Sequence, residues 1–325
     1  MNREVAISGL GAVTAAGTTP DELFDALLAR RSFYRDDFAG LAAYSVPPPV
    51  AEVLGTKGVR TLPRDVRMFL CAALPAAAGL ETVARDRIGV VCATLDAGLG
   101  EYASVFRATR EEGRVGANPA LAPYTGFNAV TAATTIRLGA LGPGLTLSSG
   151  PAAGLEALIT GAGMVADGTA DAVLAGGVDV LTGDHPKTSG PMVPGEAAAA
   201  LALTPAGPDS DVVVAATGAA TALPGTDLRD AVREAIAQTG ASAGAVLVTG
   251  DPAVSDALGP VPVSAITGTT GSARGADGAL LALTGVLAVR RGIAPTGSPL
   301  REPSVLCLAA EPDGRVFAVL LRGAR

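Results

Sequence analysis

Short runs of small and branched apolar residues alternate with longer runs whose apolar positions recur three and four apart, from one end of the chain to the other. That alternation predicts strands interleaved with helices in a layered α/β protein. Val5 to Ser8 reads as a first strand. Thr19 followed by Pro20, Asp21 and Glu22 opens a helix with Leu23, Ala26 and Leu27 on one face. After the loop Pro47 to Pro49, the pattern predicts a helix near Pro63 to Ala78 and a strand over Ile88 to Ala93. Helices are then predicted near Gly100 to Glu112 and Phe127 to Leu138, a strand over Leu145 to Ser149, a helix starting at Pro151 and a strand over Ala172 to Ala175. The remainder repeats the theme. Strands are predicted over Ala198 to Leu203, Val212 to Ala216 and Ala245 to Thr249, with a helix from Asp227 to Gln238. A long helix over Gly278 to Arg291 precedes closing strands near Val305 to Leu308 and Val316 to Arg322. The doubled alternation suggests one domain over 1–325 built of two similar halves, about 1–200 and 201–325, without a residue-level repeat.

Composition narrows the function classes. Apolar residues make up 49% of the chain and charged residues only 17%, so a lone monomer would show much Ala, Val and Leu to water. A buried partner interface is therefore expected. A net charge of −7, with no basic stripe, argues against nucleic acid. The scarcity of lysine, Lys57 and Lys187 alone against many arginines, reads as codon bias of a GC-rich genome. Cys71, Cys92 and Cys307 are widely spaced in apolar surroundings with no CxxC, which favours a reduced, cytoplasmic protein with thiols in the core. The apolar stretch behind Arg3 is broken by Gly9 and Gly11 and suits a strand and turn better than a signal peptide. No apolar run approaches the ~18 residues of a membrane span.

Individual reactive residues offer little chemistry by themselves. Ser148 and Ser149 stand beside a strand end with no histidine to activate them, and a role in closing the strand and capping the next helix is expected. Asp251, Asp256 and Asp277 read as solvated or capping acids, His185 as a loop residue, and Cys92 as a small core hydrophobe.

Six segments taken together carry more. VAISGLGAVTAAG with the PDELFDALLARRS helix, RIGVVCAT, IRLGALGPGLTLSSGPAAGLEAL, AVLAGGVDV, PMVPGEAAAALAL and GSARGADGALLALTGVLAVRRGIAPT occur in an order that resembles the β-ketoacyl synthases. The resemblance implies a thiolase-like fold, α/β, with two similar halves forming a layered helix/sheet sandwich. In that family a cysteine thiolate at a helix N-terminus takes the acyl chain, its pKa lowered by the helix dipole and a nearby histidine. The matching position here is Pro151, favoured at a first helical position, with Gly150 as cap.

The family's two histidines match Val248 (or Thr249) and Ser272, and a lysine five positions before the second matches Thr267. The Gly-Phe-Gly-Gly gating loop is replaced by AAEPDGR, Ala309 to Arg315. The chain thus looks like a catalytically inactive chain-length factor of a type II polyketide synthase, with no cofactor and no metal. It is shorter than the usual relative, chiefly between Val180 and Met192, and carries proline where aromatic-pathway factors usually carry glutamine, which fits polyene-forming systems.

The resemblance further implies a heterodimer with an active ketosynthase, the strand Leu145 to Ser149 pairing across a pseudo-twofold axis. The partner's polyketide chain would arrive on an acyl carrier protein. Leu121 to Thr134 is expected to line the tunnel through Tyr124, Phe127, Asn128, Thr131 and Thr134, with Phe127, Thr131 and Thr134 on one helical face. Two alternatives stay open: a thiolase-fold enzyme with altered acyl-transfer chemistry, and a self-associating ligand-binding homologue.

Overall fold

Small apolar strands and the helices between them assemble around a ten-stranded mixed sheet. The computed structural model describes residues 3–37, 40–182, 192–240, 244–250, 263–311 and 313–324. The elements in chain order are β1 (Val5–Val13), α1 (Pro20–Leu28), β2 (Arg35–Asp37), β3 (Gly40–Ala42), α2 (Val50–Leu54), α3 (Arg64–Ala76), β4 (Ile88–Ala93), α4 (Leu99–Glu112), α5 (Ala129–Leu138) and β5 (Gly144–Leu147). They continue with α6 (Ala153–Asp167), β6 (Ala172–Asp179), β7 (Ala197–Pro205), β8 (Val212–Thr221), α7 (Leu228–Thr239), β9 (Ala245–Gly250), β10 (Val263–Ala265), α8 (Thr267–Thr270), α9 (Asp277–Arg291), β11 (Ser304–Ala310) and β12 (Arg315–Gly323).

The sheet runs β10-β9-β11-β12-β8-β1-β7-β6-β4-β5, and its two arms have the same plan. From the centre outward, β1, β7 and β6 pair antiparallel, while β6, β4 and β5 pair parallel. β8, β12 and β11 likewise pair antiparallel, then β11, β9 and β10 pair parallel. The arms meet where Val5 faces Val214 and Ala6 faces Val213.

Burial follows from this plan. α6 and α9 sit in one core with inward residues of both arms, among them Leu155, Leu158, Leu201, Leu203, Leu280, Leu283 and Val319. α3 covers the opposite face of the first arm through Met68, Phe69 and Ala72, and α7 covers that of the second through Ala231, Val232 and Ala235. Strands covered on both faces must be apolar throughout, which explains the unbroken buried runs of β4, β6 and β11. α1 opens as its sequence predicts, Thr19 and Glu22 forming a reciprocal capping box. α4 buries none of its residues, and Tyr102 and Phe106 stack on its outer face with ring centroids 6.3 Å apart.

Candidate functional site

β5 ends at Leu147 and α6 begins at Ala153, so Ser148 to Ala152 form a sharp bend between strand and helix. Gly150 takes a φ of +146°, and a Cβ there would overlap the Glu311 carboxylate. The expectation of Pro151 at the first helical position is corrected by two residues. The Ala153 N–H closes a turn onto the Gly150 carbonyl at 2.9 Å, leaving Pro151 inside that turn and Ala152 as the residue ahead of the helix. The Ser149 hydroxyl donates to the Glu156 carboxylate, so it serves a side chain of α6 rather than a helix amide.

The N-terminus of α6 is occupied from within. The Ala152 N–H donates to Glu311 Oε1 at 2.5 Å. Glu311 is 2% exposed and begins the turn between β11 and β12. Its own N–H bonds the Arg315 carbonyl at 2.8 Å, and its carbonyl accepts from the Gly314 N–H at 3.0 Å. Arg315 donates to the Ser149 carbonyl and pairs with Asp313 at 2.9 Å. Burial pushes the Glu311 carboxyl up to about 7. The Ala152 N–H and Arg315 oppose the rise, and Asp313 and Glu156 add to it.

The other sequence-selected positions lie on separate elements. β9 carries Val248, buried, with Ala310 opposite Gly250, so the end of β9 lies beside the strand that delivers Glu311. Thr267 starts α8 and its carbonyl accepts the Tyr34 hydroxyl at 2.7 Å. Ser272 is buried and donates from its hydroxyl to Asp277 Oδ2 at 2.6 Å. Gly154 of α6 packs directly on the 275–279 backbone, and a Cβ there would stand 2.5 Å from the Ala279 nitrogen. His185, Asp251 and Asp256 lie outside the described residues.

No thiol is available at the bend. Cys71, Cys92 and Cys307 are buried in α3, β4 and β11, and burial raises all three pKa values, Cys71 to about 11. Among the described residues no group of His, Cys, Asp or Glu is placed to hold a metal ion, and no helix is long and apolar enough to cross a membrane.

Asp277, read from sequence as a solvated or capping acid, is not solvated. It is buried at the start of α9, accepting from Ser272 and from the Ala273 N–H at 2.8 Å. Asp179, at the end of β6, accepts from the Thr94 hydroxyl at 2.7 Å and from the N–H groups of Asp96 and Gly275 at 2.9 Å each. It ties the strand ends of the first arm to the Ser272 loop. Burial pushes both carboxyls up to about 7. Glu311, Asp179 and buried Glu196, which pairs with the exposed Arg64, were not singled out from sequence. The available signal was an acid placed directly after a wholly apolar strand, as in AVLAGGVD and SVLCLAAE.

The segment Leu121 to Thr134 separates into parts. Phe127 is 52% exposed and Asn128 is exposed, both ahead of α5, whose first residue is Ala129. Helical spacing therefore does not carry Phe127 onto the face of Thr131 and Thr134, which are buried. Thr131 Oγ1 lies 2.6 Å from Thr146 Oγ1 on β5, and Thr134 donates to the Val130 carbonyl at 2.8 Å. Tyr124 lines a groove of about 260 Å³ with Leu54, Val59, Leu62, Ala133 and Ile136. Beside it, β5 is a sheet edge, and Ile136, Leu141 and Leu145 are exposed.

Comparison with known proteins gives consistent results. The profile of the "Beta-ketoacyl synthase, N-terminal domain" matches residues 54–223. Over 192 residues the chain is 27% identical to 3-oxoacyl-[acyl-carrier-protein] synthase 2 of Vibrio cholerae, covering 54% of this chain and 46% of that one. The chain thus spans about half the length of the curated relatives it matches. Among solved structures it resembles the ishigamide ketosynthase/chain length factor, with a TM-score of 0.84 at 20% identity over 99% of both chains. A β-ketoacyl synthase from Burkholderia phymatum gives 0.82 at 21% identity over 100% of both. A ketosynthase in complex with its chain length factor from Xenorhabdus doucetiae gives 0.78 at 19%, over 99% of this chain and 98% of that one. The architecture is the thiolase-like ketosynthase fold.

Proposed function

The chain belongs to the β-ketoacyl synthase family, and from that footing we propose that it is a non-catalytic, chain-length-factor type subunit. It pairs with a separate active ketosynthase in the cytoplasm and shapes the space into which a carrier-bound polyketide, of the polyene kind, grows. The observation that carries this reading is the bend itself. Pro151 brings neither a nucleophile nor an N–H, the next amide is taken by Glu311, and the three thiols are buried elsewhere. Thioester exchange needs a thiolate within reach of the carbonyl.

A partner reading is supported by the open edge of β5 and by the exposed Ile136, Leu141 and Leu145. Unpaired strand edges flanked by apolar surface are the places where a second chain adds. The names of similar structures, ketosynthases with chain length factors, point the same way. In this reading Phe127 and Asn128 border the growing chain, Tyr124 shapes the neighbouring groove, and Thr131 and Thr134 brace the wall from behind.

The test is a thioester probe applied to the purified chain and to the chain co-expressed with a ketosynthase from the same cluster. Acylation should appear only on the partner, with the two co-eluting. Phe127→Ala in the reconstituted pair should lengthen products by removing wall volume. Acylation of the isolated chain would instead identify an enzyme of altered chemistry.

A further inference from the structure

A helix N-terminus presents free N–H groups and positive potential, and a condensing site would use that end for charge developing on a thioester oxygen. In this chain the position is filled by a side chain of the same molecule. Glu311 is 2% exposed and its Oε1 lies 2.5 Å from the Ala152 nitrogen, the amide directly after Pro151. Its carboxylate also lies against Gly150, where a Cβ would collide with it. Arg315, at the start of β12, reaches the other side of the bend by donating to the Ser149 carbonyl.

We propose that Glu311 is a built-in anion plug: its carboxylate occupies the anion position at the N-terminus of α6, and Glu311 and Arg315 together hold the Ser148–Ala152 bend from both sides. The site is thereby closed to an acyl group independently of the missing thiol. The charged groups facing the plug are Glu156 on α6 and Asp313 and Arg315 on its own turn. This rests on reading the bend as the remnant of a condensing site, but its test does not read product length, so either inference can fail alone.

The experiment installs a thiol and asks what it feels. Pro151→Cys alone and Pro151→Cys combined with Glu311→Gln are compared for alkylation by iodoacetamide near neutral pH, with the buried Cys71, Cys92 and Cys307 as internal references. An adjacent carboxylate raises a thiol's pKa, and one unit is a tenfold loss of thiolate below the pKa. The double variant should therefore be alkylated about tenfold faster at the introduced thiol, and equal or slower alkylation overturns the proposal. A second measurement keeps proline in place. The Ala152 amide resonance should titrate with a midpoint near neutrality in the unaltered protein and stay flat in Glu311→Gln, and an Ala152 amide indifferent to pH in both also overturns it.

Discussion

Asp277 accepts from the Ser272 hydroxyl and the Ala273 N–H, inside the protein at the head of α9. Its carboxyl, like those of Asp179 and Glu311, is raised to about 7, above all by burial. In the unfolded chain such groups titrate near ~4. Between those values the folded chain binds more protons than the unfolded one, so stability falls as pH rises through the window and levels off above it. Thermal melts should show a higher midpoint near pH 5 than near pH 8, with a shallower slope in Asp277→Asn. Identical midpoints would contradict the assignment. Asp277→Ala should cost about 1–3 kcal/mol in denaturant unfolding, since it strands a buried hydroxyl and a buried N–H. None of this could be read locally. The run ARGADGA looks like any helix start, and Asp277 is buried because α9 lies between both arms, a fact of assembly. For Glu311 the only local cue was an acid after an apolar run, since its partner, the Ala152 N–H, lies 159 positions away.

Glycine decides how close the elements come. Gly154 and Gly278 let α6 and α9 meet backbone to backbone, a Cβ on Gly278 colliding with the Leu155 nitrogen. Gly278→Ala should therefore destabilise the fold by about 1–3 kcal/mol through overpacking. Gly163→Ala, on the same α6 but facing open space, should stabilise it by up to ~1 kcal/mol through helix propensity. Equilibrium unfolding of both variants checks the opposite signs. The same effect explains where the sequence pattern stopped short. Gly9 and Gly11 suggested that β1 ends at Ser8, yet it runs to Val13, because α3 passes so near that Cβ atoms there would strike the Ala76 and Ala72 carbonyls. Ile88–Ala93, apolar on both faces, was legible to the residue, whereas β6 and β11 were legible as strands but run further than the apolar run suggested. The start of α5 was not, since Phe127 and Asn128 fit a helical spacing that the chain enters only at Ala129.

At the scale of the molecule, the two arms repeat one another strand for strand. Among the described residues β5 stands at the end of the strand order, with Leu145 exposed on it. Leu145→Asp should weaken pairing with the proposed ketosynthase partner by more than tenfold, because a charge would enter a desolvated contact. Co-purification yield and sedimentation of the mixture measure it, and undiminished pairing would move the interface elsewhere. That edge also has a meaning for the cell that makes the protein. A molecule produced beyond the supply of its counterpart exposes a template that a second molecule of its own kind can extend. Under the proposed pairing, surplus copies would then sequester one another in counterfeit pairs, so the ratio of the two chains matters to the assembly alongside any residue near the bend.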